Sequence, residues 1–249
     1  MNIFRRGTAL FAGGFGRLIF PPVCPGCQTA LHDAHAVCPT CWSTLRFIER
    51  PFCEVLCLPF AYDLGHGFLS AEAIADPPPF RRLRAAVLYQ DLAGRLVSSL
   101  KYGDRTDLVP LMAGWMRRAG AELLDKAEVI VPVPLHKARL WGRQFNQSAE
   151  LARLIAHHSR TAYAPLALQR VKATRSQVGL GPQQRRDNVR GAFRVRDQRR
   201  FEVEGKHVLL IDDVYTTGAT VSAATRALKR AGAREVDVLT FARVATREA

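Results

Sequence analysis

Asp212 and Asp213 are adjacent carboxylates, and Thr216, Thr217, Gly218, Ala219 and Thr220 follow them as a small, hydroxyl-rich turn. Carboxylates accept hydrogen bonds from two neighbouring sugar hydroxyls, a task that backbone N–H donors cannot perform. Main-chain N–H groups in the turn, and the positive end of a helix starting there, suit a phosphate. Together these residues describe a site for a phosphorylated sugar. An acid pair alone also fits a structural turn with solvated carboxylates, but the Gly/Thr turn directly after it favours the ligand.

The flanking elements suit this task. Val208 to Ile211 form a continuous apolar run, as expected of a strand buried on both faces of a parallel sheet, with the acids where it emerges. VSAATRALKRAG then reads as an amphipathic helix ended by Gly232. The whole string LLIDDVYTTGAT resembles the signature with which type I phosphoribosyltransferases bind 5-phosphoribosyl 1-pyrophosphate (PRPP). The resemblance implies that Asp212 and Asp213 hold the ribose 2- and 3-hydroxyls, close to the charge that develops in catalysis. It also implies that Thr216 to Thr220 wrap the 5-phosphate, and that Mg²⁺ arrives with the PRPP.

A second strand end carries cations. Glu128 to Val133 reads as a strand whose Pro-Val-Pro end cannot continue a ladder, so the chain turns there. Leu135, His136, Lys137, Arg139 and Arg143 follow, before a helix expected near Asn146. The readings are an anion site and a solvated basic loop. In type I phosphoribosyltransferases the loop in this position cradles pyrophosphate, which by resemblance assigns that role to these five residues. The polar stretch from Leu168 to Phe193 is too long for an ordinary connection, and reads as a lid. Arg170, Lys172, Arg175, Arg185, Arg186 and Arg190 are its available cations.

Further strands are expected at Ala85 to Tyr89 and Glu235 to Ala242, and a helix capped by Asp91 is expected to bury Leu92, Leu96, Val97 and Leu100. Another helix is expected through LVPLMAGWMRRAGAELL. The β-α-β-α-β order is that of an open parallel sheet with ligands at its carboxyl strand ends. The fold class is therefore α/β, a type I phosphoribosyltransferase-like open parallel sheet with a small N-terminal zinc-ribbon-like module.

That module rests on cysteines. All six occur before residue 58, which points to a local metal module rather than a spread disulfide framework. Cys24 and Cys27, then ten residues, then Cys38 and Cys41 place four thiolates within reach of one structural Zn²⁺. Cys53 and Cys57 form a poorer pair with three residues between them, and His32, His35 and His66 read as loop histidines. No internal repeat is legible beyond the paired knuckles. The domain boundaries are expected at 1–60 for the N-terminal helix and zinc module, 61–84 for a linker and 85–249 for the phosphoribosyltransferase domain. LKYGDRTDL, PVPLH and the segment from Arg143 to Gln147, with these knuckles, are similar to the ComF family of competence-associated, amidophosphoribosyltransferase-like proteins. Further C-x-x-C knuckles are frequent in that family, and this chain departs from the pattern at Cys53 and Cys57.

The 249 residues carry a net charge of +14, mostly from arginine, which favours a polyanionic partner. PRPP or a related phosphorylated ribose is one, and single-stranded DNA is another. The apolar run before Pro21 is too short to span a membrane and is interrupted by Arg17, so it reads as an amphipathic helix and the protein as cytoplasmic. No stretch reads as the glutaminase that an amidotransferase needs for ammonia. Three functions fit: a phosphoribosyltransferase with an unassigned acceptor, a DNA-binding competence or recombination factor, and a PRPP-sensing regulator without the chemistry.

Overall fold

The computed structural model describes residues 22–33, 35–63, 65, 67–135, 145–172 and 181–245. Its centre is a parallel sheet of β1 (Leu83–Leu88), β2 (Val129–Pro132), β3 (Ala162–Tyr163), β6 (His207–Tyr215) and β7 (Glu235–Arg243). The spatial order is β1-β7-β6-β2-β3. The short strands β4 (Leu168–Arg170) and β5 (Phe193–Val195) pair antiparallel beside it. The helices are α1 (Asp91–Tyr102), α2 (Val109–Ala119), α3 (Gln147–Ser159), α4 (Pro182–Val189) and α5 (Ala219–Arg230), with a few single helical turns between them.

Side-chain alternation along the strands builds two cores. Leu209 and Ile211 of β6 face one way, with Leu239 and Phe241 of β7, and are covered by α1, α2 and α3. Val208 and Leu210 face the other way, with Val236 and Val238, and are covered by α5 and the β4–β5 pair. Leu92, Leu96, Val97 and Leu100 all lie in the first core, as the 3.6-residue spacing of α1 predicts.

Three local expectations change. The acids do not follow the central strand; they lie within it, because β6 runs on to Tyr215 and stays paired with β7 through Tyr215↔Arg243. Gln90 rather than Asp91 holds the N-cap position of α1, without a side-chain capping bond. The expected long helix after residue 108 divides at Gly120, where a Cβ would lie 2.8 Å from Leu239, and resumes as a single turn over Ala121–Leu124. The polar stretch expected as a lid is anchored at both ends by the β4–β5 ladder and contains α4; residues 173–180, with Arg175, lie outside the described residues.

The N-terminal module covers the outer edge of β1. Ile48 donates to the Ala86 carbonyl at 3.0 Å, and Leu88 donates to the Arg46 carbonyl at 2.8 Å. An exposed strand edge is a pairing hazard, and the module removes it. Trp42 and Phe47 of the module pack on Trp115 of α2, with ring centroids 5.6 and 5.2 Å away. The helix expected before Pro21 lies outside the described residues.

Candidate functional site

Among the described residues, a crevice in the strand pairing lies beside β6 because its two neighbours end at different heights. Pairing with β2 stops at Pro132↔Ile211, where the Pro-Val-Pro sequence ends the ladder, while pairing with β7 continues for four more residues. Asp212 and Asp213 therefore stand in β6 with no β2 partner opposite them.

Each carboxylate is held by one oxygen. Asp212 Oδ1 accepts from Ser148 Oγ and from the Asp213 backbone N–H, both at 3.0 Å. Asp213 Oδ2 is 2.9 Å from Lys101 Nζ. Asp213 shares the facing of Leu209 and Ile211, which is why the last turn of α1 reaches it. Among the described residues, Asp212 Oδ2 and Asp213 Oδ1 have no partner. One acceptor on each of two adjacent residues matches the two donors of a vicinal diol.

Burial, then the neighbouring Asp213 charge, pushes the Asp212 carboxyl up to about 7, against the pull of Lys101. Burial opposes the Lys101 charge, but Asp213 and Asp212 outweigh it and hold the ammonium above its ordinary range.

The chain then turns into α5. Gly218 caps the helix at φ +72°, and a Cβ there would lie 2.5 Å from the Tyr215 hydroxyl, so the turn needs glycine on both counts. The N–H groups of Thr216, Thr217 and Gly218 donate to nothing among the described residues. Thr216 and Thr217 are exposed, Thr220 is half-buried, and Gly218 and Ala219 are buried against the loop base. A helix start with open donors beside an acid pair suits an anion attached to a polyol.

Across the crevice, Asn146 caps α3 and its side chain donates to the Val133 carbonyl at 3.1 Å. This bond ties the Pro-Val-Pro turn to α3 and brings Ser148 to Asp212. Leu135 is half-buried at the same turn. His136, Lys137, Arg139 and Arg143 lie outside the described residues.

The cysteines converge as their spacing predicts. The sulfurs of Cys24, Cys27, Cys38 and Cys41 all lie within 4.8 Å of one another. Cys38 N–H points at Cys24 Sγ and Cys41 N–H at Cys38 Sγ, both at 3.4 Å, which favours thiolates. Four convergent soft donors, three of them buried, fit a tetrahedral structural zinc, whose contribution would be to cross-link the two knuckles. His35 is not among them; its Nδ1 lies 3.0 Å from the Asp107 carbonyl. His66 lies outside the described residues.

Comparison with known proteins agrees with both modules. Residues 15–73 match the double zinc ribbon domain, and residues 147–249 match the phosphoribosyl transferase domain. DNA utilization protein YhgH of Salmonella typhi is 32% identical over 231 residues, covering 89% of this chain and 96% of that protein. The chain belongs to the ComF family. Competence protein F of Haemophilus influenzae, a more distant ComF relative, is 26% identical over 88% of this chain and 96% of its own. Among solved structures, glutamine PRPP amidotransferase from B. subtilis aligns over 57% of this chain and 30% of its own, at 24% identity and a TM-score of 0.36.

Two residues of this ComF crevice escape a reading of the sequence. Lys101 sits in LKYGDRTDL, a string that resembles the family without disclosing what it does, and only the path of α1 across the sheet brings it to Asp213. Ser148 carries no signal in sequence. It is the second residue of an ordinary helix, and is delivered by the Asn146 cap.

Proposed function

We propose that the crevice binds PRPP or a closely related 5-phosphorylated ribose. The observation that carries the reading is the acid pair, in which one oxygen of each carboxylate has no partner among the described residues, next to N–H groups at a helix start that donate to nothing among those residues. Asp212 Oδ2 and Asp213 Oδ1 accept the ribose 2- and 3-hydroxyls, and the turn from Thr216 to Thr220 surrounds the 5-phosphate. Mg²⁺ enters as part of the substrate, and Leu135, His136, Lys137, Arg139 and Arg143 are assigned to the pyrophosphate by the sequence resemblance alone. Loss of pyrophosphate from C1 leaves positive charge on the ribose ring, and an acid pair that holds the 2- and 3-hydroxyls stands near enough to favour it electrostatically. No protein nucleophile is required. The protein acts in the cytoplasm, where PRPP is available.

Differential scanning fluorimetry with PRPP and Mg²⁺ tests this reading. A rise in melting temperature that Asp212→Asn with Asp213→Asn abolishes is the expected result, since a ligand that binds only the folded state stabilises it. No rise in the wild-type protein would sink it.

A second reading concerns the biological role. A relative is named for DNA utilization, and the net charge of +14 suits a nucleic-acid partner. Single-stranded DNA is expected to bind with an affinity that falls as salt rises. Absence of binding at moderate salt removes this reading and leaves the sugar-phosphate site untouched.

A further inference from the structure

The N-terminal module contains one local fold twice, although the sequence suggests no repeat beyond the C-x-x-C knuckles. In the first copy, Cys24 donates its N–H to Thr29 O and Gln28 donates to Cys24 O, both at 2.8 Å, with Gln28 at φ +64°. In the second, Cys53 donates to Leu58 O and Cys57 to Cys53 O, both at 2.8 Å, with Cys57 at φ +54°. Val23 bridges Ala30, and Phe52 bridges Pro59.

The other half of each copy corresponds as well. Cys38 donates its N–H to Cys24 Sγ at 3.4 Å and caps the helical turn Pro39–Trp42, its sulfur accepting from Cys41 N–H. Ser70 donates its N–H to Cys53 Sγ at 3.2 Å and caps the turn Ala71–Ala75, its hydroxyl accepting from Ala73 N–H. The ligand positions Cys24, Cys27, Cys38 and Cys41 thus become Cys53, Leu56, Ser70 and Ala73. Cys57 takes the place of Gln28, a turn position and not a ligand.

The replacements fit one another. A Cβ on Gly26 would lie 2.7 Å from Cys41 Sγ, so the first copy needs glycine there. The second copy has Val55 at that place, and Ala73 carries no sulfur for it to strike. Cys53, Leu56, Ser70 and Ala73 are all buried, so the position of the metal has closed into core. Three consecutive carbonyls of this knuckle accept from the sheet instead: Glu54 O from Arg84, Val55 O from Leu83 N–H, and Leu56 O from Arg243. Arg243 also reaches Glu72 Oε2 at 3.4 Å, joining the two halves that a metal would otherwise join.

We infer that the second ribbon is metal-free, and that the buried Arg243 of the sheet has taken over the cross-linking role of zinc, while Arg84 fastens the knuckle to the sheet through Glu54. The match to a double zinc ribbon therefore describes two ribbons and one metal site. Elemental analysis of the purified full-length protein tests this. The expected content is about one zinc per chain, lost in Cys24→Ser and unchanged in Cys53→Ala. Two zincs per chain, one of them lost with Cys53→Ala, would overturn the inference.

Restoring the ligands is a gain-of-function check. V55G, L56C, S70C and A73C together are expected to raise the content to about two zincs. A folded variant that still holds one would refute the assigned positions, and if it does not fold, the wild-type content decides. Arg243→Met is expected to lower the melting temperature at unchanged zinc content. Unchanged melting would refute the part given to Arg243.

Discussion

Lys101 Nζ lies 2.9 Å from Asp213 Oδ2, joining the last turn of α1 to the end of the central strand. The pair is largely buried, so removing the cation strands a carboxylate in a poorly solvated crevice. Such a loss costs about 2 kcal/mol, less than for a fully buried pair because the Lys101 side chain keeps some contact with solvent, and is enough to lower the melting temperature by several degrees. Lys101→Met is therefore expected to destabilise the protein. It also removes a cation that holds the Asp212 carboxyl down. If hydroxyl recognition needs ionised Asp212, PRPP stabilisation rises with pH through about 7 in the wild type and at higher pH in Lys101→Met. A pH profile that does not move shows that Lys101 only packs there.

Asp212 is costly to the empty protein. Its folded pKa is raised to about 7 from an ordinary 3.8, so between these values the folded state binds more protons than the unfolded one. Stability then falls as pH rises through that window. Asp212→Asn removes the charge, and is expected to raise the melting temperature at pH 8 by an amount on the order of a few degrees, with little gain at pH 4. The same variant is expected to lose PRPP stabilisation. A site residue whose removal stabilises the fold while abolishing binding is retained for the ligand. A lower melting temperature at pH 8 would show that Asp212 serves the fold.

The sequence discloses the parts of this site that are contiguous. An apolar run, two acids and a Gly/Thr turn lie within thirteen residues, and periodicity places the strand and helix around them. What it conceals is what the sheet order brings together. Lys101 and Ser148 are 112 and 64 residues from their partners, and nothing local marks either as facing an acid. The second ribbon is hidden for a different reason. Its backbone bonds persist, but three of the four side chains that would announce it have changed.

Gly218 is tested by a single methyl group. Its φ of +72° disfavours any L side chain, and the added Cβ would meet the Tyr215 hydroxyl at 2.5 Å. Tyr215 is buried, so moving it disturbs the core. Gly218→Ala is expected to cost about 1–3 kcal/mol and to displace the start of α5. Because it alters the turn rather than the acids, it should weaken PRPP more than ribose, which lacks the phosphate. Equal losses for the two ligands would place the phosphate elsewhere.

Gly26 makes the corresponding case for the metal centre. A Cβ there would lie 2.7 Å from Cys41 Sγ and 2.8 Å from Leu92 Cδ1, a buried leucine of α1. Neither neighbour yields easily: the sulfur is set by its three companions, and Leu92 is packed in the core. In Gly26→Ala the knuckle must therefore move away from Cys41 and spread the four sulfurs. The expected result is faster zinc loss to a chelator, on the order of tenfold or more, as for disturbed metal sites generally. Loss of zinc should in turn lower the melting temperature, since the ribbon covers the edge of β1 through the Ala86 and Arg46 carbonyl bonds. If Gly26→Ala holds zinc as firmly as the wild type, the four cysteines do not bind it in the geometry described, and Cys24→Ser then separates a displaced site from none.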